Sequence, residues 1–587
     1  MRAFQFLVFI LHLLLCVLCV LCGSAFSVDR TAFTFIHYDL EVRIDPDGHA
    51  IAARGKVRLR NDSNAPQRNL TLQISSSLTW RMIELNGNPL EYVSNLYTTD
   101  IDHTGAVTEA VVTLPAAVAP QATVELEVGY SGQVTQDAAR LTRLGVPGET
   151  AVHSDWDRVA EPITAVRGIG YVAWYPVSLS AASMSENTLF PALDDWKRSQ
   201  HDTSMRVNLC WVGESNLTVV ANGKAEGVTR HALGAGEEAA TNTGCSAYTF
   251  APVAVPSFSI AEYTPLIRPA IDVFHLPPQG PAAQEYALAA EKVLPFETDW
   301  FGAPKMKVTV AQLPDVGDAP FESGPLLFTP LVLADRGATQ LRMMHQLVHA
   351  SFTSPRPWIE EGLAHFAQAL EREHENGRAA AISYMRTFLP PLQAAEAAVA
   401  QVSDARAPAS ATAAKPNAPG LIASTDEVMH RIKAMYVWWM LRDMVGDAAL
   451  KQALKKYRPA EDKDTAYMPG LIAQASKRNL EWFFDDWLYR DRGLPDFRVD
   501  AAFPRATLNG TYVVTLTVAN DGDAAAEVLV FARAQGGQHQ KKLLVKGKGK
   551  AVERIEVPAT PTEAVVNDGS VPESNTTNNA LAVVAPK

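Results

Sequence analysis

His345 and His349 are separated by Gln346, Leu347 and Val348, and nine residues further on the chain reads Trp358-Ile359-Glu360-Glu361-Gly362-Leu363-Ala364. On a helix, two histidines at i and i+4 lie one above the other, so both imidazoles can reach a single ion. A carboxylate from a second helix would complete a three-ligand zinc site with one open position, and Glu361 is the candidate. In the pattern H-E-x-x-H, the residue after the first histidine is a glutamate that takes a proton from metal-bound water. Here that residue is Gln346, and an amide cannot act as the base. The stretch reads as a zinc site without its proton acceptor.

Histidines at i and i+4 also arise by chance on surface helices, so the reading leans on Glu361 in the following helix. His365, four residues past Glu361, is a further ligand, a partner behind a ligand, or simply a packed or solvated histidine. Glu360 would point about 100° away from Glu361 on a helix, which makes it a surface residue.

The elements that must hold these side chains follow from the hydrophobic period. Ala338 to Phe352 predicts the helix bearing both histidines, and Pro355 and Pro357 break it before Trp358 opens a second helix running to about Asn376. Upstream, Ala282 to Leu294 has helical spacing and Met306 to Val310 reads as a strand. Downstream, Ala379 to Gln401 reads as helix, and the Ala/Pro-rich stretch from Ala405 to Pro419 as an exposed loop. Ser424 with Glu427 predicts a capping box for a helix through Val445 that stops at Gly446.

Before about Tyr263 the period is two. Tyr38 to Ile44, Val57 to Arg60, Leu70 to Ile74 and Val124 to Val128 alternate, with turn chemistry at Asp45-Pro46-Asp47-Gly48. This predicts a large antiparallel β domain. After Pro495 the alternation returns, as in Tyr512 to Val518 and Glu527 to Phe531, and about ninety residues of this kind suggest a small sandwich.

At 587 residues the chain is too long for one core. A net charge of -12 argues against a nucleic-acid partner, and Lys541, Lys542, Lys546, Lys548 and Lys550 read as the solvated face of a late hairpin. The N-terminus has Arg2, an apolar run from Phe6 to Leu21, and the small residues Gly23, Ser24 and Ala25. This predicts export by a signal peptide over residues 1–25, with contact to a membrane only if that segment stays uncleaved as an anchor. Past the signal the chain has only Cys210 and Cys245; in an exported protein they are a candidate disulfide, with a metal site as the less common alternative.

The order of these elements resembles the aminopeptidase N family of gluzincin zinc metallopeptidases. Ala319-Pro320-Phe321-Glu322-Ser323-Gly324 is similar to the family's G-A-M-E-N motif, with Glu322 twenty-three residues before His345. Phe301-Gly302-Ala303-Pro304 looks like F-G-x-Y-P, and Trp358 to Gly362 like W-L-N-E-G. Met440 to Gly446 and Phe483 to Trp487 resemble the helical half of the domain. The resemblance implies Zn²⁺ held by His345, His349 and Glu361, and a peptide substrate or ligand whose free N-terminal ammonium is held by Glu322. It also implies a multi-domain α+β fold: a saddle-like N-terminal β domain at 26–265, a thermolysin-like metallopeptidase domain at 266–494 and an Ig-like C-terminal β-sandwich at 495–587.

The chain departs from the family in three places. His349 and Glu361 are twelve residues apart, a shorter interval than the family's, and the shortfall falls in the connection between the helices. Gln346 replaces the general base. Aligning the family's Y-E-K-G on Arg431-Ile432-Lys433-Ala434 puts Arg431 where the family has a tyrosine that stabilises the tetrahedral intermediate. Tyr436 points to another face of that helix, and Trp438 and Trp439 read as core.

The expected function is therefore an exported zinc aminopeptidase-like protein acting on peptide N-termini with impaired hydrolysis. Two alternatives stand beside it: a peptide-binding protein without catalysis, and a structural cell-surface module.

Overall fold

The structure, a computed structural model, describes residues 28–584 apart from 187, 213–215, 232–242, 252–253, 334, 406–417 and 425. The expected signal segment 1–25 and most of the expected loop at 405–419 lie outside the described residues. The chain forms two compact units, Met1–Ala261 and Glu262–Lys587.

The first unit is built from strands. Phe33–Asp45 shows why: Tyr38, Leu40, Val42 and Ile44 are buried while Asp39, Glu41 and Arg43 face out, so the period of two places one face in the core. Phe33–Asp45 pairs antiparallel with Ala50–Asn61 inside an eight-stranded sheet. The expectation of an antiparallel domain needs one correction. On its other side Phe33–Asp45 runs parallel to Ser204–Val212, and residues 46–203 provide the long crossover that a parallel pair requires. Cys210 lies opposite Cys245 in the antiparallel pair formed with Thr243–Phe250, and the two are joined by a disulfide.

The second unit opens with a five-stranded sheet in the order Thr264–Ile267, Ile271–His275, Val308–Gln312, Leu326–Thr329, Phe321–Ser323. The strand expected at Met306 to Val310 is displaced to Val308–Gln312. Helix Gly280–Phe301 packs on this sheet and on helix Arg336–Ser351. The latter carries both histidines. It starts two residues earlier than expected because Asp335 caps it, its carboxylate accepting from Ala338 N at 3.2 Å. Pro357 occupies the first turn of helix Pro357–Asn376, where its missing N–H costs no hydrogen bond.

The single helix expected from Ala379 to Gln401 is two, Arg378–Arg386 and Leu389–Ala405. Pro390 and Pro391 sit in the first turn of the second, the one place that tolerates them. The capping box expected from Ser424 and Glu427 gives way to a local relay: Ser424 Oγ accepts from Asp426 N, and Asp426 Oδ1 accepts from Val428 N at 2.7 Å. The helix it starts opens on a π-turn, Met429–Lys433, before continuing as Ala434–Val445.

The C-terminal strands form a three-stranded and a four-stranded sheet. One hydrophobic core runs from the helices into them, and Trp487 Nε1 donates to Ala525 O at 2.7 Å across that join. Of the late lysines, Lys541 reaches Glu553 and Lys550 reaches Asp500 at the surface.

Candidate metal centre

His345 and His349 lie on the buried face of their helix, each only 6% exposed. Their Nε2 atoms stand 3.0 Å apart, so the i, i+4 spacing has aimed both rings at one place. Glu361, in the second turn of the next helix, lies 3.9 Å from His349 Nε2. The short link between the two helices is thus compatible with bringing this carboxylate to the histidines.

Two features set that approach. Gly362 follows Glu361, and a Cβ there would sit 2.6 Å from the Ala434 Cβ and 3.1 Å from the Trp438 ring. A side chain would therefore hold the two helices apart. Trp358 stacks on Trp438 at 5.1 Å, and Trp438 Nε1 donates to Trp358 O, which locks the same crossing.

The crossing brings the π-turn beside the site. Arg431 Nε lies 3.4 Å from Glu361 Oε2, and Arg431 Nη1 lies 3.6 Å from Glu427. Two residues on, Lys433 is 1% exposed and bonds Glu396 at 2.6 Å and Asp491 at 2.8 Å. This buried triad anchors the turn from behind. Sequence reasoning missed it, since Glu396 and Asp491 carry no motif of their own.

Glu322 is closer to the histidines than its expected role suggested. Its Oε2 lies 2.9 Å from His345 Nε2, and its side chain is 33% exposed. The ligand atoms of Glu322, His345 and His349 all lie within 4.8 Å of one another. His365 packs edge-on against His345, ring centroids 5.0 Å apart, which makes it a neighbour of the site.

Burial pushes the Glu322 and Glu361 carboxyls up, but nearby cations outweigh it. The charge and hydrogen bond of His345 hold Glu322 well below the usual range, and His349 and Arg431 bring Glu361 down to about 2. Burial also favours neutral imidazole, lowering His349 and taking His365 down to about 3, whereas for His345 the Glu322 charge wins and the shift is upward. Ionised carboxylates beside imidazoles suit a divalent cation. Donors about 2.0–2.1 Å from a tetrahedral zinc would be separated by roughly 3.3 Å, close to the spacing seen here, so the residues fit the ion.

Gln346 is fully buried and stands beside Glu322, whose carboxylate its amide helps keep ionised. Its amide occupies the place where the base would stand. Tyr436 is buried in the core, as are Trp438 and Trp439. Glu360 is partly exposed.

Neither a protein-family model nor a curated protein sequence matches the chain. Among solved structures, it is similar to an M1 zinc metallopeptidase from Deinococcus radiodurans at 16% identity, with a TM-score of 0.47 over 76% of this chain and 90% of that one. A mutant of that metallopeptidase is similar at 16% identity and a TM-score of 0.49, over 79% of this chain and 96% of that one. The same mutant bound to a Tyr-Ser-Ala substrate gives 16% identity and a TM-score of 0.46, over 76% and 93%.

Proposed function

We propose that this protein is an exported, zinc-binding, aminopeptidase-like protein that engages the free N-termini of peptides and hydrolyses them weakly. The observation that carries this reading is the convergence of His345, His349 and Glu322, with Glu361 3.9 Å from His349, beside the buried amide of Gln346. His345, His349 and Glu361 would hold the ion, and a bound zinc supplies Lewis acidity toward a peptide carbonyl.

The chain's own residues account for the rest. Glu322, partly open to solvent, offers a carboxylate to the ammonium of a peptide N-terminus. The Arg431 guanidinium, 3.4 Å from Glu361, is the candidate donor to a developing oxyanion. Gln346 cannot take a proton, and the loss of a positioned base costs about 10²- to 10⁴-fold in rate. Hydrolysis is therefore slow. The apolar run from Phe6 to Leu21 and the Cys210–Cys245 disulfide support export.

A second reading, a peptide-binding protein without turnover, is favoured by the Arg431–Glu361 pair, which adds a cation beside the metal position. Metal analysis together with an assay on aminoacyl p-nitroanilides separates the readings. The expected result is about one zinc per chain, lost in His349→Ala because two remaining ligands hold the ion poorly, with slow turnover by wild type. A folded wild type free of zinc overturns the metal reading. Zinc without turnover leaves the binding protein.

A further inference from the structure

We propose that Glu322 is a fourth, exchangeable metal ligand that closes the site until a peptide ammonium draws it away. This rests on the zinc reading above and departs from it in one respect: the carboxylate assigned to the peptide is also assigned to the metal.

The distances carry the argument. Glu322 Oε2 lies 2.9 Å from His345 Nε2 and the two imidazole nitrogens are 3.0 Å apart, whereas Glu361 reaches His349 Nε2 only at 3.9 Å. By the roughly 3.3 Å expected between neighbouring donors of a tetrahedral zinc, Glu322 is placed at least as well as Glu361. Its backbone is held for the task. Glu322 pairs in register with Leu327, Phe321 stacks on Phe328, and Gly324 turns the hairpin at a φ of +55°.

Charge points the same way. Two neutral imidazoles and two carboxylates balance a divalent cation, while three ligands with a single carboxylate would leave a net positive centre beside Arg431. The missing base fits as well. A site closed by four protein ligands holds no water to deprotonate, and Gln346 occupies the position that would have done so. Because Glu322 stays partly exposed, an incoming ammonium can reach it, and its departure would open a coordination position to the peptide.

Cobalt(II) in place of zinc reports this directly. In wild type the visible spectrum of the loaded protein is expected to be four-coordinate and unmoved by azide. Glu322→Ala should make it azide-responsive and lower Co²⁺ affinity by at least about tenfold, the lower end of what losing a partner around a metal costs. Trialanine should render the wild-type spectrum azide-responsive, and N-acetyl-trialanine should not.

A wild-type spectrum that azide shifts without peptide overturns the inference, as does a Glu322→Ala protein with unchanged affinity and spectrum. An identical response to both peptides overturns the exchange. If Glu322→Ala does not fold, Glu322→Gln with a wild-type circular dichroism spectrum takes its place, with a smaller loss expected. A folded wild type that binds no Co²⁺ or Zn²⁺ defeats the zinc reading itself, and so is distinguished from failure of the Glu322 assignment alone.

Discussion

Arg431 Nε stands 3.4 Å from Glu361 Oε2, so the carboxylate that faces the histidines is shared with a guanidinium. A fixed cation there opposes a divalent ion, and the cost is moderated by solvent because the Arg431 side chain is 45% exposed. Arg431→Met is therefore expected to raise zinc affinity by about tenfold, equivalent to roughly 1.4 kcal/mol. Chelator competition measures it. Equal or weaker binding by the variant would mean that Arg431 does not compete with the metal.

Gln346 is the sharper test of chemistry. If hydrolysis is limited by this position alone, Gln346→Glu should raise turnover on aminoacyl p-nitroanilides by at least about 10²-fold. If Arg431 also blocks the reaction, the single change does little and Gln346→Glu with Arg431→Tyr recovers activity beyond the sum of the two, as residues acting as one unit do. The full cycle of wild type, two single variants and the double variant distinguishes these cases. No turnover from any of them with zinc bound would leave only the binding reading.

Gly362 links packing to the site. An added Cβ would meet the Ala434 Cβ at 2.6 Å, and neither atom is the end of a flexible side chain. Gly362→Ala should destabilise the second unit by about 1–3 kcal/mol, the range for overpacking, and should also weaken metal binding by moving Glu361. Denaturant titration reads the first effect and metal affinity the second. A variant as stable as wild type would show that the helix crossing is looser than its tryptophan stack suggests.

The histidine helix was legible because its signal is local: two imidazoles at i and i+4, bounded by prolines. Glu361 was legible through a motif, and Gly362 as part of that motif, but the reason for the glycine is a contact with Ala434, seventy-two residues away. The contact between Glu322 and His345 was not legible, since it depends on where a short edge strand is laid beside Leu326–Thr329. The Lys433 triad was hidden because Glu396 and Asp491 lie far from it in sequence and carry no motif. In the first unit, alternation identified Phe33–Asp45 as a strand but could not reveal its parallel neighbour, because a period of two specifies a face and leaves the partner open.

Glu297 supplies a test away from the site. It is fully buried in helix Gly280–Phe301, and the hydroxyls it meets, Ser351 and Thr298 at 3.4 Å from Oε2, offset only part of that burial. Burial pushes this carboxyl up to about 8. The folded protein keeps the proton over a range where the unfolded chain, titrating near 4.3, has released it. The native state then binds more protons, so stability falls as pH rises. The contribution is fully present below about pH 4.3 and is lost as the pH climbs through about 8. Glu297→Gln removes the ionisation while keeping the shape, so its melting temperature should gain on that of wild type from about pH 5 to 8 and the gap should then level off. Thermal melts of both proteins across that range decide it; parallel curves would mean that Glu297 is charged in the fold, its hydroxyl neighbours outweighing burial.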